Sequence, residues 1–271
     1  MDSILCGCSI DLRVAIVVAC MLVSSITFGQ VKSTVKDTSD KDVILIDHFG
    51  KLIEDREGIE SVKWISKELQ LRVDSTFIYA DSAVIYADTR VFAYNDVVIQ
   101  QGDSLRVFTD SLFYSRDTDI ADLNGEVVLE QGTKQLWTNG LTYNLGKRYG
   151  EYHQGGTLID RGLQVTSNSG IYYAGSKEVL FKDDVVVLHP KFSMAADSLR
   201  YLAGQSLVLF TGPTNIYTPN AKIYCEGGFY DLETEVAEFN KNAQYAGGNK
   251  TATADTIRYD SKAAEVTMSG N

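Results

Sequence analysis

The sequence predicts an elongated all-β protein, a twisted solenoid or open jelly roll built from one hairpin unit of about 29 residues repeated about seven times. Three observations lead there. A tyrosine-bearing pattern recurs at a nearly constant interval, strand-like alternation fills each interval, and helical periodicity is almost absent.

The recurring pattern is Asp110-Ser111-Leu112-Phe113-Tyr114. It returns as Asn139-Gly140-Leu141-Thr142-Tyr143, Ser169-Gly170-Ile171-Tyr172-Tyr173 and Asp197-Ser198-Leu199-Arg200-Tyr201. Two later copies are Glu226-Gly227-Gly228-Phe229-Tyr230 and Asp255-Thr256-Ile257-Arg258-Tyr259, and an earlier one is Asp81-Ser82-Ala83-Val84-Ile85-Tyr86. Tyr86, Tyr114, Tyr143, Tyr173, Tyr201, Tyr230 and Tyr259 thus follow one another at a near-constant spacing, too regular over seven copies for chance. A second pattern keeps the same beat, small or acidic residues leading into β-branched ones. Examples are Asn95-Asp96-Val97-Val98-Ile99, Asn124-Gly125-Glu126-Val127-Val128-Leu129, Asp183-Asp184-Val185-Val186-Val187 and Gly212-Pro213-Thr214-Asn215-Ile216.

Side chains alternate faces along a strand, so Leu112 and Tyr114 share one face while Phe113 takes the other. The same pairing holds for Leu141 with Tyr143, Ile171 with Tyr173, Leu199 with Tyr201, and Ile257 with Tyr259. Stacked units would align these pairs as a ladder, readable either as a core spine or as the wall of an apolar groove. Chain reversals are expected at Asn144-Leu145-Gly146-Lys147, Ala174-Gly175-Ser176-Lys177 and Ala203-Gly204-Gln205, and the recurring aspartates read as turn formers. Residues 53–67, with Glu54, Asp55, Glu57 and Glu60 before Trp64, read as an irregular entry to the first full unit. A hairpin of this size cannot bury its apolar face alone and must lean on neighbours. The stack then leaves strand edges at both ends. The final residues, Val266-Thr267-Met268-Ser269-Gly270-Asn271, stop in mid-unit, so the sequence reads as a fragment or as a chain whose last edge something else completes.

At the N-terminus Arg13 precedes an apolar stretch, 14–23, that runs on to Phe28 and Gly29. About 15 apolar residues behind a positive charge and before a small residue form the pattern of a secretory signal. A membrane span needs about 20. Residues 1–29 are therefore read as a signal peptide, 30–42 as a flexible polar segment and 43–271 as the repeat domain. An uncleaved anchor, or lipidation at Cys20 in Val17-Val18-Ala19-Cys20, stays open. Cleavage removes Cys6, Cys8 and Cys20 and leaves Cys225 without a partner, so packing rather than a disulfide must hold the fold. The net charge of −11 becomes −10 as Asp2, Asp11 and Arg13 depart. Nucleic-acid binding, which wants basic stripes, is excluded.

No catalytic or metal-binding constellation stands out. His48, His153 and His189 lie far apart, with no HxH, HExxH or paired-cysteine spacing, and no Walker-type, G-x-S-x-G or G-x-G-x-x-G element occurs. A carbohydrate-active solenoid would need a carboxylate pair distinct from the repeat's own aspartates, and none is evident.

The order and spacing of several short patterns resemble the OstA-like proteins, relatives of the periplasmic lipopolysaccharide-transport protein LptA and of the N-terminal domain of LptD. They include Asp81-Ser82-Ala83, Gln101-Gly102-Asp103-Ser104-Leu105, Leu136-Trp137-Thr138-Asn139-Gly140-Leu141-Thr142-Tyr143 and Tyr152-His153-Gln154-Gly155-Gly156. Gly212-Pro213-Thr214 and Cys225-Glu226-Gly227-Gly228-Phe229-Tyr230-Asp231 continue the series, so the resemblance spans roughly 43–271. It implies a twisted β-jelly roll, open along one side, that shields lipopolysaccharide acyl chains in the periplasm, possesses no enzymatic activity or cofactor, and joins other jelly-roll transport proteins through edge strands. On that reading Leu112, Tyr114, Leu141, Tyr143, Ile171, Tyr173, Leu199, Tyr201, Ile257 and Tyr259 form the lipid-binding groove. An adaptor module that pairs edge to edge with an outer-membrane protein and binds no lipid is the alternative. The acidic balance offers no obvious basic cluster for sugar phosphates, which implies slight headgroup contact or contact through divalent cations.

Overall fold

The computed structural model describes residues 26–27, 44–55, 61–263 and 265–270. The residues read as a signal peptide, 1–29, and the 30–42 segment lie outside these residues, except that Ile26 and Thr27 form a short strand. Every strand pairing is antiparallel, and no helix occurs among the described residues.

The chain opens with β1 (Ile26–Thr27), β2 (Leu45–His48) and β3 (Lys51–Asp55), followed by six long strands. These are β4 (Val62–Val73), β5 (Thr76–Tyr86), β6 (Arg90–Gln101), β7 (Leu105–Ser115), β8 (Ile120–Gln131) and β9 (Lys134–Asn144), each paired to the next. Beyond β9 some long strands divide into halves: β10 (Tyr149–Tyr152) and β11 (Gly156–Asp160), then β12 (Leu163–Ser167) and β13 (Ser169–Tyr173). Unbroken β14 (Glu178–His189) and β15 (Phe192–Leu202) follow, then the halves β16 (Leu207–Phe210), β17 (Thr214–Tyr217), β18 (Lys222–Cys225) and β19 (Gly227–Asp231). The chain closes with β20 (Val236–Gly247), β21 (Lys250–Asp260) and β22 (Glu265–Ser269).

Of the expected irregular entry, 53–55 and 62–67 are strand, and 56–60 lie outside the described residues. β3 and the first half of β4 pair Ile53 with Trp64 and Leu52 with Ile65, and β4 continues without a break in pairing partner onto β5. The acidic composition suggested a loop, but a neighbouring ladder outweighs local propensity in a strand.

Alternate long strands carry a bulge at their middle. In β4, β6, β14 and β20 two successive residues take left-handed conformations at the bend: Lys67 and Glu68, Asn95 and Asp96, Asp183 and Asp184, Lys241 and Asn242. In β8 Gly125, at φ +102°, plays the part. One extra residue is accommodated there against the next strand, as where Tyr94 pairs with Ser111 but Val97 with Thr109. Asn and Asp tolerate this backbone better than most residues, and Gly best. Where β10 gives way to β11 and β16 to β17, the bend opens the strand altogether.

The recurring aspartates sit at these bends rather than at chain reversals. Asp110 lies inside β7, and its Oδ2 accepts a hydrogen bond from the backbone N–H of Glu126 at 3.2 Å, bracing the bend of the strand beside it. Gly125 must be glycine, because a Cβ there would lie 2.1 Å from that carboxylate.

The bends fold the ladder along its midline into two facing layers with one continuous core between them. One layer ends in the turns at 87–89, 116–119, 145–148, 174–177, 203–206 and 232–235; the other ends in those at 74–75, 102–104, 132–133, 161–162, 190–191, 218–221 and 248–249. Opposite turns meet along a seam. Arg116 of one layer, for example, reaches Asp74 of the other at 3.0 Å.

Inside, the tyrosine ladder has a stricter beat than the local pattern suggested. Tyr114, Tyr143, Tyr172, Tyr201, Tyr230 and Tyr259 recur at one unvarying interval, with Ile85 in the same place one unit earlier. Tyr172 therefore holds the inward position, whereas Ile171 is half-buried and Tyr173 is 36% exposed on the outer face. A Tyr-Tyr doublet leaves the two registers locally indistinguishable, and the neighbours decide. Gly170 takes the inward place that Leu141 and Leu199 hold elsewhere, because the Tyr152 ring fills the space before it, where a Cβ would lie 2.4 Å from Tyr152 Oη.

Gly228 combines a left-handed φ of +134° with a backbone contact, as a Cβ would lie 2.0 Å from the Glu238 carbonyl oxygen. Gly228→Ala is expected to cost about 2 to 4 kcal/mol in urea denaturation. Gly175→Ala, at a turn where a Cβ meets nothing within 4 Å, should stay within about 0.5 kcal/mol.

Candidate functional site

The interior between the layers brings together most of the residues expected to line a groove. Leu112, Tyr114, Leu141, Tyr143, Leu199, Tyr201 and Ile257 are buried there, and Tyr259 is partly buried against them. Ile171 and Tyr173 are the exceptions, for the register reason given above. Tyr152, on the short strand β10, joins the interior without belonging to the recurring pattern.

The buried hydroxyls need partners in so apolar a place, and the opposite layer supplies them. Tyr143 Oη donates to Gln101 Oε1 at 3.0 Å, Tyr172 Oη to Gln131 Oε1, and Tyr201 Oη to Asp160 Oδ2 at 2.8 Å. Each acceptor is the last residue of its strand, is buried, and is held by a further bond, across the seam for Gln101 and Gln131 and within its own layer for Asp160. Gln101 Nε2 donates to the Leu145 carbonyl at 3.0 Å and Gln131 Nε2 to that of Ala174 at 3.3 Å, while Thr133 Oγ1 donates to Asp160 Oδ1 at 2.6 Å. Tyr152 and Ser167 share a hydrogen bond of 2.7 Å, and Tyr114 Oη donates to Asp119 Oδ1 at 3.1 Å. The fourth rung changes character: His189 stands one unit after Asp160, but there Tyr230 packs edge-on to Phe192 at 4.6 Å, with the His189 ring at 6.4 Å. Sequence reasoning missed this polar series. Its signal was available, since Gln101, Gln131, Asp160 and His189 recur once per unit just before a turn.

Burial pushes Tyr114, Tyr143 and Tyr152 up to about 12, and it raises Tyr172 and Tyr201 still further from their ordinary value. Cys225 is buried in β18, and burial likewise pushes its thiol up to about 11, as suits a small core residue. Of the histidines, His48 lies 3.9 Å from Glu68, His153 lies 3.8 Å from Glu151, and His189 stacks on Phe192.

Toward the C-terminal end the filling thins. Gly228 stands where Leu199 does one unit earlier, Ala237 where Val208 does, and Ala243 where Val185 does two units earlier. The result is an apolar cavity of about 230 Å³, walled by Met194, Ile216, Ile223, Phe239, Tyr245 and Ile257. Its rim is crossed by the ion pair of Lys191 with Glu235, in which the lysine is half exposed. A broader depression, about 610 Å³, lies outside at the bend between Trp137, Asn139, Gln154, Asn168 and Asp184, and its walls are mainly polar.

Residues 41–197 match the family model described as OstA-like protein. The chain belongs to the OstA-like family. Residues 164–271 of this OstA-like protein also match the model described as LptA/(LptD N-terminal domain) LPS transport protein. The two matches place the chain among proteins of lipopolysaccharide transport, and the second contains the whole cavity. Among solved structures, the chain is similar to LptH of Pseudomonas aeruginosa, described as the LptA-homologous periplasmic component of the conserved lipopolysaccharide transport device. That likeness has 15% identity and a TM-score of 0.25, over 55% of this chain and 93% of the other. No curated protein matches the chain.

Tyr201→Phe would leave Asp160, 2% exposed, without one of its two donors. It should cost about 1 to 3 kcal/mol in urea denaturation. Tyr173→Phe, on the outer face, should stay within about 0.5 kcal/mol. The raised tyrosines also set an alkaline limit. A phenol whose folded value lies above its unfolded one stabilises fully below the unfolded value and loses that contribution as pH rises through the folded value. The urea midpoint should therefore hold up to pH about 10 and fall between about 10 and about 12. The fall should track tyrosinate absorbance.

Proposed function

We propose that this OstA-like protein is a periplasmic carrier or bridge component that binds lipopolysaccharide by taking its acyl chains into the C-terminal end of the interior. The observation that carries the reading is the apolar cavity enclosed between the layers, within the residues matched by the lipopolysaccharide-transport model. The mechanism is passive. Each methylene withdrawn from water contributes about 0.8 kcal/mol, with no covalent step.

Magnitudes suggest how the site opens. At about 230 Å³ the cavity is smaller than the roughly 300–1,000 Å³ usual for ligand pockets, so the layers must part to admit a chain. Along the middle of the stack the seam is held by buried tyrosine-to-amide and tyrosine-to-carboxylate bonds, costly to leave unmade. Over the cavity it is crossed by the exposed Lys191–Glu235 pair, and exposed pairs contribute only about 0–1 kcal/mol. The C-terminal end is the part that yields.

One observation favours the adaptor reading. β22 covers only residues 256–260 of β21, so residues 250–255 present an edge with no further strand beside it among the described residues. Such an edge can accept a strand of another jelly-roll transport protein or of an outer-membrane protein.

A photoreactive residue at Ile223 or Phe239 should form adducts with lipopolysaccharide, while one at Leu141, in the filled part, should form none. Ala237→Leu should fill the cavity and abolish the adducts without loss of stability. If the cavity positions yield no lipid adduct while probes at 250–255 capture a protein, the adaptor reading replaces the carrier.

A further inference from the structure

The depression of about 610 Å³ on the outside of the fold has a definite structural origin. Two neighbouring long strands open at the same bend, one between β10 and β11 and the other between β12 and β13, so His153, Gln154, Gly155 and Asn168 leave the ladder together. Just beyond the opening, pairing sets Trp137 of β9, Thr157 of β11 and Thr166 of β12 side by side in one outward row. The two threonines are short, so the indole, 38% exposed, borders a low floor. A Cβ on Gly155 would meet nothing within 4 Å, which leaves that floor open. Asn139 and Gln154 stand exposed around it, and Asn168 is held in place by donating from Nδ2 to Asp184 Oδ2 at 2.8 Å. The Trp137 N–H and the carboxamides of Asn139 and Gln154 have no hydrogen-bond partner among the described residues, so they face solvent with their bonding capacity free.

The lining selects one ligand chemistry. No lysine, arginine or histidine lines the depression and the carboxylates of Glu126 and Asp184 border it, which disfavours an anion. No group of three His, Cys, Asp or Glu side chains able to hold a metal ion occurs among the described residues. The mainly polar walls give a hydrocarbon chain little to pack on. What fits is an uncharged ligand with many hydroxyls and one face of C–H groups. We propose that the depression is a saccharide site that takes a neutral oligosaccharide, with a sugar ring laid on Trp137. The electron-rich indole face attracts the weakly positive C–H face of a pyranose. A carboxamide both donates and accepts, as a hydroxyl does, and a carboxylate accepts strongly. The volume lies within the roughly 300–1,000 Å³ usual for ligand sites. This site is on the outer face and the apolar cavity lies between the layers, so neither conclusion rests on the other.

The test uses the whole protein carrying Trp64→Phe, which leaves Trp137 as its one indole. Its fluorescence is titrated with maltotriose, cellotriose and chitotriose, and with sorbitol, which has hydroxyls but no ring face. At least one trisaccharide should shift the emission saturably, and sorbitol should not. By calorimetry, Trp137→Ala should weaken that trisaccharide at least about tenfold, with Trp137→Phe restoring part of it, and Asn139→Ala or Gln154→Ala about fivefold. Should Trp137→Ala fail to fold, the exposed Asn139 and Gln154 variants must show the loss in its place. No saturable response to any of the three sugars, an equal response to sorbitol, or folded variants that bind like the wild type overturns the site. Ala237→Leu, which fills the cavity, must leave the sugar affinity unchanged, and a fall there would place the sugar between the layers and overturn the outer site.

Discussion

The ladder must pass from one layer into the other at the middle of its long strands, and the left-handed residues at the midpoint of every second strand let it do so without losing its pairing. Straight strands of 11 or 12 residues would make a flat ladder with one apolar face in water. Bent at the same level every unit, they turn that face onto itself and enclose a core. Asp110, opposite the bend at Gly125, belongs to the same device, since it holds the backbone of Glu126. Everything inside, from the tyrosine ladder to the cavity, follows from where these bends place the two layers.

Closing the layers raises a second demand, since tyrosine brings a hydroxyl into the core. The strand-final Gln101, Gln131 and Asp160 meet it from the opposite layer, and in doing so tie the turns together. The same bonds that satisfy the core thus lock the seam. Where the acceptor series reaches His189 and the ladder tyrosine turns to aromatic packing instead, the lock lapses, and there the inward residues also become small. A filled, hydrogen-bonded middle and a thinly filled C-terminal end are built from one repeat by changing a few inward positions.

The interior sorts the residues expected to line a groove by position. Leu112, Leu141 and Leu199 do face inward, but they fill the space rather than line it. The cavity is walled instead by Ile216, Ile223 and Phe239, which belong to no conspicuous recurring pattern. Residue size at inward positions, Gly228 and Ala237 against Leu199 and Val208, held the clue, but it becomes readable only once the inward face is known. The Tyr172–Tyr173 doublet shows the same difficulty at a single site, where a slip of one residue exchanges inside for outside.

What the sequence determined by itself was the architecture. A short, strictly kept repeat with alternating faces and no helical period admits little besides stacked antiparallel hairpins, because each unit's apolar side has nowhere else to go. Tertiary structure alone decided the chemistry. Which tyrosine meets which acceptor some 41 residues away, and where the core falls short of filling, depend on the two layers facing each other. Period and alternation are local properties of the chain, whereas contact across the seam joins residues from different units on opposite layers.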